Sequence, residues 1–314
     1  MRPVGVVIPT RGDRPVPLRE AVEAALAQDW PVSVVVVVDT PAQEGVPVDV
    51  PAQQGAPPDG TACRDVAAQL AGVSGPVRVL PNSRTPGLPG ARNTGVDACD
   101  TDLVAFCDDD DVWLPGKLAA QVQALRDGAE FASCGIEVEH GRHRVARLAG
   151  VPAVTAADLV RSRMVMVHSS TFLFERGRLW ADESAPAGQN EDWDLALRAA
   201  KRRPIAYVDR PLVRVRWGGS HYAARWADRI AGLDWMLARH PELAVDSRGA
   251  ARVYGQLAFG HAALGHRREA ARWALRTFAA RLGEPRAPIA LAVAAGLVPA
   301  RAVVSMLHNR GHGI

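Results

Sequence analysis

Cysteine is scarce in this chain. The four present, Cys63, Cys99, Cys107 and Cys134, are widely spaced, form no CxxC pair and lie in or beside apolar segments. That excludes a disulfide framework and a cysteine-based zinc site, and fits small buried residues in a reducing cytoplasm. No long apolar run follows Met1 and Arg2, which lead directly into the short strand-like VGVVIP, so a secretory leader is not expected. The longest late apolar run, residues 287–300, is too short to cross a bilayer comfortably, and no transmembrane span is expected. No convincing internal repeat is found. Large net charge is missing too, since 37 basic residues stand against 34 acidic ones. The balance is uneven along the chain, however. From Arg225 to the end there are 13 arginines, no lysine and 6 acids, a local excess of +7 that leaves −4 for residues 1–224. A solvated basic helix face and an anionic membrane surface both account for such a tail, and nucleic-acid binding is not read from it.

What is present is a globular α/β pattern in which 48% hydrophobic residues over 314 positions supply a sizeable core. Val4 to Ile8 and Val34 to Val38 are β-rich runs separated by Leu18, Val22, Ala25 and Leu26 at helical spacing, giving β-α-β. Near-continuous apolar strands imply a parallel sheet covered on both faces, with ligands bound beyond the carboxyl ends of the strands. Residues 40–60 lack any period and are expected to form an irregular insertion at that edge. Further strands are expected at 77–80 and 103–107, with helices from about Ala91 and from Pro115 to Arg126. Two antiparallel strands near 131–138 and 144–148 then end the parallel half. Beyond a short helix at 156–161, strands at 170–174, 205–208 and 212–216 flank a helix at 191–200. Helices near 225–239, 249–263 and 267–281 complete the chain. The division is therefore 1–220 and 221–314.

The sharpest feature is FCDDDDVWLPGKL, residues 106–118, which crowds Asp108, Asp109, Asp110 and Asp111 at the end of a buried strand. Carboxylates this close raise one another's pKa unless a cation neutralises them. Mg²⁺ or Mn²⁺, which take carboxylate oxygens and complete their shell with substrate phosphates, are the economical explanation. The alternative is a solvated acidic turn capping the next helix. In NEDWDLALRAA, residues 190–200, the acids Glu191, Asp192 and Asp194 crowd a helix start. There they stabilise the helix, and one facing the cleft is also a credible general base. GLPGARNTGV, residues 87–96, joins a Gly/Pro turn to a helix opening with Arg92 and Asn93, suited to a phosphate or ribose contact. Asp39 ends its strand either as a hydrogen-bond acceptor for a nucleoside or as the start of a turn. Pro9, Thr10 and Arg11 line the same edge. In RVRWGGSH, His221 stands as a turn residue or as a further metal or diphosphate contact, and His168 lies beside Ser169 and Ser170 with no third member for a nucleophilic triad.

In this order VVIPTRGDR, VVVVVD, GLPGARNTGV, FCDDDDVWLPGKL and NEDWDLALR resemble the family 2 glycosyltransferases over about residues 3–216. The resemblance implies a GT-A fold, a Rossmann-like mixed sheet flanked by helices, followed here by a helical C-terminal region. It implies a nucleotide held near Pro9, Thr10, Arg11 and Asp39 with Arg92 and Asn93 beside it. It implies Asp109 near the ribose or donor sugar, and Asp108 and Asp110 on the metal, to which the turn residue His221 is added. Asp192 matches the catalytic base, with Glu191 in a contacting role. The implied reaction is inverting displacement from a nucleotide-diphosphate sugar, UDP or dTDP being favoured, to a saccharide, lipid-linked or small-metabolite acceptor. The small-polar run usual after Asp39 is replaced by Pro41, Ala42 and Gln43, and the helical last third lies outside the resemblance. That third is expected to touch the acceptor, a partner or the inner face of the membrane peripherally, keeping the protein cytoplasmic. Two other classes remain: a haloacid-dehalogenase-like phosphohydrolase using Asp108 as nucleophile, and a non-catalytic sugar-nucleotide-binding scaffold.

Overall fold

The computed structural model describes residues 1–39, 60–125, 128–141, 143–216 and 225–309. His221 and nearly all of the expected insertion lie outside the described residues. Strands β1 (Val4–Thr10), β2 (Val32–Val38), β3 (Val77–Pro81) and β4 (Leu103–Phe106) are parallel neighbours in the order β3-β2-β1-β4. Helices α1 (Pro15–Leu26), α2 (Gly60–Gln69) and α3 (Leu88–Ala98) connect them. The period of two is explicit in the packing. Val4, Val6 and Ile8 of β1 with Val34, Val36 and Val38 of β2 face one core with α1, while Val7, Val35 and Val37 face the other with α3. Both faces are covered, which is why these strands read as unbroken runs of valine.

Helix α2 was not anticipated, because its apolar stripe is thin and Val66 is its only buried residue. Helix α3 starts at Leu88, earlier than the expected Ala91, with Gly87 at φ 115° before it and Pro89 in its first turn. After the two-residue β5 (Val112–Trp113), α4 spans Lys117–Leu125, later than expected because Gly116 turns the chain at φ 78°.

The second half of the sheet is mixed. Strand β6 (Phe131–His140) forms the expected hairpin with β7 (His143–Arg147), and the short β8 (Ala153–Val154) leads to α5 (Ala156–Arg161). The segment expected as one strand at 170–174 is a 3-10 turn, Ser169–Thr171, followed by β9 (Leu173–Glu175), which lies antiparallel between β4 and β6. Helix α6 (Glu191–Arg202) precedes β10 (Ile205–Arg216), one strand where two were expected. Its register against β6 shifts around Pro211, which has no N–H to give the ladder, and the pairing is parallel. Parallel pairing therefore continues beyond the point where it was expected to stop.

Helices α7 (Trp226–Arg239), α8 (Ser247–Ala263), α9 (Arg267–Ala280), α10 (Arg286–Ala294) and α11 (Ala300–Asn309) follow. They are not a separate body: Phe259, Trp273 and Val293 join Val7, Phe106 and Phe174 in one continuous core. No helix among the described residues is long and apolar enough to cross a membrane.

Candidate active site

The parallel strands deliver their carboxyl ends to one edge, and a cavity of about 620 Å³ opens there. Pro9, Thr10 and Arg11 enter it from β1, Asp39 from β2, Asp108 to Asp111 from β4, and Glu191 with Asp192 from the first turn of α6. The chain reaching α6 is contorted. Ala187, Gly188 and Asn190 hold φ of 48°, 68° and 63°, and non-glycine residues keep such angles at a cost of roughly 1 to 3 kcal/mol where surrounding structure imposes them.

The four aspartates divide into two pairs. Asp109 accepts from Thr10 Oγ1 at 2.6 Å and from Arg14 Nη2 at 2.8 Å, and the same guanidinium bonds Asp110. Asp108 accepts from Arg92 Nη2 at 2.6 Å and from Ser169 Oγ at 3.1 Å, while Asp111 accepts from Ser170 Oγ at 2.6 Å. His168 completes the second group, with Nε2 3.9 Å from Asp108 and Nδ1 3.6 Å from Asp111. Ligand atoms of Asp108, Asp111 and His168 all lie within 4.8 Å of one another. The 3-10 turn braces the set: Ser170 Oγ receives the Asp108 N–H at 2.9 Å, and the Ser170 carbonyl accepts from Trp113 Nε1 at 3.0 Å.

Their protonation follows from burial and neighbours. Burial pushes Asp109 up to about 6, the repulsion of Asp110 and Asp108 adds to it, and Thr10 and Arg14 pull back. Burial, then Asp108 and Asp110, raise Asp111 well above the ordinary carboxylate range. Asp108 goes the other way. Burial alone would raise it, but Arg92 and His168 outweigh that and hold it down. Asp192 is likewise held down against its own burial, first by Arg163, whose Nη2 lies 2.9 and 3.0 Å from the two carboxylate oxygens, then by His168 and Arg92.

Arg92 is almost fully buried and bonds both Asp108 and Glu191, so it ties the strand end to the helix start within the cavity lining. Asn93 does not line the cavity. It clamps the 181–183 segment, donating to the Ala181 carbonyl at 2.9 Å and to Glu183 at 2.7 Å and accepting from the Ala181 N–H. Asp39 accepts from the Gly87 N–H at 3.0 Å and from Asn82 Nδ2 at 2.8 Å, fixing the turn before α3 while still forming part of the wall. Sequence reasoning singled out neither Arg14, the last residue of VVIPTRGDR, nor Arg163 and Glu183, yet all three line the same cavity.

Residues 55–176 match the Glycosyl transferase family 2 profile, a stretch that includes Asp108 to Asp111 and ends before Glu191. A curated relative, the UDP-Glc:alpha-D-GlcNAc-diphosphoundecaprenol beta-1,3-glucosyltransferase WfgD of Escherichia coli, is 26% identical over 134 residues. That is 42% of this chain and 52% of the relative, so the chain spans about half the relative's length. Among solved structures, S. aureus TarS 1-349 in complex with UDP-GlcNAc superposes with a TM-score of 0.57 at 14% identity, covering 99% of this chain and 93% of that one. The mannosyltransferase PcManGT of Pyrobaculum calidifontis, in complex with GDP-Man and Mn²⁺, gives a TM-score of 0.51 at 19% identity, covering 96% and 83%. The fold is thus the GT-A fold that the motifs implied, and residues 55–176 of the chain carry the match to the family 2 glycosyltransferases.

Proposed function

We propose that the protein transfers a sugar, with inversion, from a nucleotide-diphosphate donor to a hydroxyl acceptor in glycan or glycoconjugate synthesis, with a divalent metal as cofactor. The observation that carries this reading is that Asp192, an ionised carboxylate on α6, shares one cavity wall with the carboxylates ending β4. Asp192 would take the proton of the acceptor hydroxyl while its oxygen forms the new bond to the anomeric carbon. The bond from that carbon to the donor phosphate breaks as this happens, and its electron pair leaves with the nucleoside diphosphate. Pro9, Thr10, Arg11 and Asp39 would hold the nucleoside, with Asp109 toward the ribose and Arg92 and Asn93 fixing that wall. Arg11 is exposed on the wall and suited to the diphosphate.

The donor set fits a hard cation. Asp108 belongs both to the pair implied by the resemblance, with Asp110, to which the turn residue His221 is added, and to the convergent group with Asp111 and His168. Two carboxylates and one imidazole suit Mn²⁺ at least as well as Mg²⁺. When bound, such an ion neutralises charge developing on the leaving diphosphate. Asp110 would have to give up Arg14 to join it.

WfgD is named for UDP-Glc and the TarS and PcManGT structures hold UDP-GlcNAc and GDP-Man, which supports a nucleotide-sugar donor, and WfgD's named acceptor is lipid-linked. We read residues 1–220 as the transferase unit and 221–314 as its helical extension. We read the protein as cytoplasmic and peripheral at the inner membrane face. On α9, Arg268, Arg272, Leu275 and Arg276 share an exposed stripe of the kind that meets anionic lipid. Salt-sensitive flotation with anionic liposomes tests that contact, and failure to float would remove it.

Calorimetric titration with UDP, dTDP and GDP, each with Mn²⁺ and with EDTA, tests the main reading when repeated on Asp110→Ala. Metal-dependent binding of one nucleotide, lost in the variant, supports it. Release of inorganic phosphate in place of nucleoside diphosphate during turnover would favour a phosphohydrolase, and binding without turnover a scaffold.

A further inference from the structure

One guanidinium stands where the acidic turn asks for a cation. Arg14, the residue before α1, lines the cavity and forks across two neighbouring carboxylates, with Nη2 2.8 Å from Asp109 Oδ1 and Nη1 on Asp110 Oδ2. Its Nε makes no hydrogen bond, so the two aspartates alone hold the fork. The carboxylates are unequal. Asp109 is 3% exposed and keeps a second donor, Thr10 Oγ1, on its other oxygen. Asp110 is 31% exposed, and among the described residues Arg14 is its only hydrogen-bond donor. The two arginines of the site differ in the same way. Arg92 is sealed between Asp108 and Glu191, whereas the Arg14 side chain is 37% exposed and has water to turn into.

A divalent ion needs bare carboxylate oxygens, and a guanidinium already bonded to Asp110 competes for them. Metal entering the nucleotide-free site therefore has to break a charge-assisted bond. With a nucleoside diphosphate in the cavity the displaced fork gains phosphate oxygens, which its planar geometry matches two at a time. We propose that Arg14 is an exchangeable counter-ion: it holds Asp110 until the donor arrives, yields that carboxylate to the metal and turns to the donor's diphosphate. Metal and nucleotide are then taken up together, each raising the affinity for the other by the same factor. This exchange rests on the reading of Asp110 as a metal ligand.

The test is calorimetric and uses the full chain, with Mn²⁺ titrated alone and with UDP, dTDP and GDP titrated in EDTA and at saturating Mn²⁺. Arg14→Gln is expected to bind Mn²⁺ at least about fivefold more tightly than the wild type in the absence of nucleotide, the low end of a typical coupling. At saturating Mn²⁺ the same variant should bind the nucleoside diphosphate at least about fivefold more weakly, and in EDTA, where Arg14 stays on the aspartates, within about twofold of the wild type. Opposite signs for the two ligands separate exchange from bracing, since a residue that only supported the start of α1 would weaken both when removed. If Arg14→Gln shows no cooperative thermal transition, Arg14→Lys carries the same signs, because a point charge cannot span both aspartates. Exchange is overturned if nucleotide binds with Mn²⁺ yet the variant takes Mn²⁺ no more tightly, or holds the nucleotide as well as the wild type does. If no nucleotide binds the wild type with Mn²⁺, the transferase reading itself fails and the exchange falls with it.

Discussion

Arg92 Nη2 stands 2.6 Å from Asp108 Oδ1, and because the other arm of the same guanidinium bonds Glu191, one buried cation joins the chain leaving β4 to the start of α6. Arg92 is about 1% exposed, so removing it strands the buried Glu191 carboxylate and leaves the partly buried Asp108 without its cation. Arg92→Met is expected to destabilise the protein by about 3 to 5 kcal/mol in urea unfolding, the usual cost of breaking a buried ion pair from one side. Arg92→Lys should recover part of this, since a point charge cannot reach both carboxylates in the fork geometry.

Asp192→Asn should lower kcat by roughly 10² to 10⁴, the range for loss of a positioned base, with nucleotide affinity unchanged in the calorimeter. The pH profile is the sharper measurement. Against the effect of burial, Arg163, His168 and Arg92 hold the Asp192 carboxyl below its ordinary value. Asp192 therefore stays ionised through neutrality, and kcat/KM should lose activity from this group only below the usual carboxylate range. The same sign governs stability: its contribution is present above the unfolded-state pKa and is lost as pH falls through the folded one. An acidic limb centred near neutrality that vanishes in Asp192→Asn would contradict this.

Lys117 is fully buried, with Nζ 3.8 Å from the Trp113 ring centroid and no hydrogen-bond partner, and burial pulls its pKa down to about 8. A lysine whose folded pKa is depressed binds fewer protons folded than unfolded between about 8 and the ordinary 10.5. Stability from this group therefore rises as pH climbs through that window. At pH 7 the whole penalty stands, on the order of 3 kcal/mol at about 1.4 kcal/mol per pKa unit. The Tm of Lys117→Met should therefore match or exceed that of the wild type at pH 7. Its advantage should shrink as pH rises from 8 to 10. A pH-independent difference would refute the assignment.

How far these features were legible in the sequence depended on whether they repeat along the chain. β1 and β2 were legible because valine at every position marks a strand covered on both faces, and Asp108 to Asp111 because four carboxylates after such a strand ask for a cation. Arg163 and Arg14 were not legible. Each is one arginine in a loop, and only the tertiary fold sets the first against Asp192 and the second against Asp109. Asn93 was legible as polar at a helix start, yet its amide turns to the Ala181 backbone because that segment packs on α3. The single strand β10 was split in expectation by Pro211, whose missing N–H the structure absorbs as a register shift against β6. The change from strands to Ala-rich helices after β10 was legible, but composition carries no sign that both sides feed one core.

That shared core makes the helical extension part of the folding unit. Asp194, with no exposed side-chain surface, accepts from Arg198 Nε at 2.8 Å within α6, and from Arg239 Nε at 2.5 Å and His240 Nε2 at 2.9 Å at the end of α7. Beyond this polar tie, Leu257, Phe259 and Ala274 are buried in the same cluster as Leu195 and Leu197 of α6. A chain ending at residue 220 would expose that apolar face and leave Asp194 with Arg198 alone. It is expected to aggregate on expression although it contains every residue assigned to the nucleoside and the base. In the full chain, Asp194→Asn should cost about 2 kcal/mol, less than a fully buried pair because Arg198 and Arg239 keep 26% and 35% of their side chains in water. Recovery of a soluble, cooperatively melting 1–220 fragment would show that the helices are an appended module, and size-exclusion chromatography followed by thermal unfolding decides between the two.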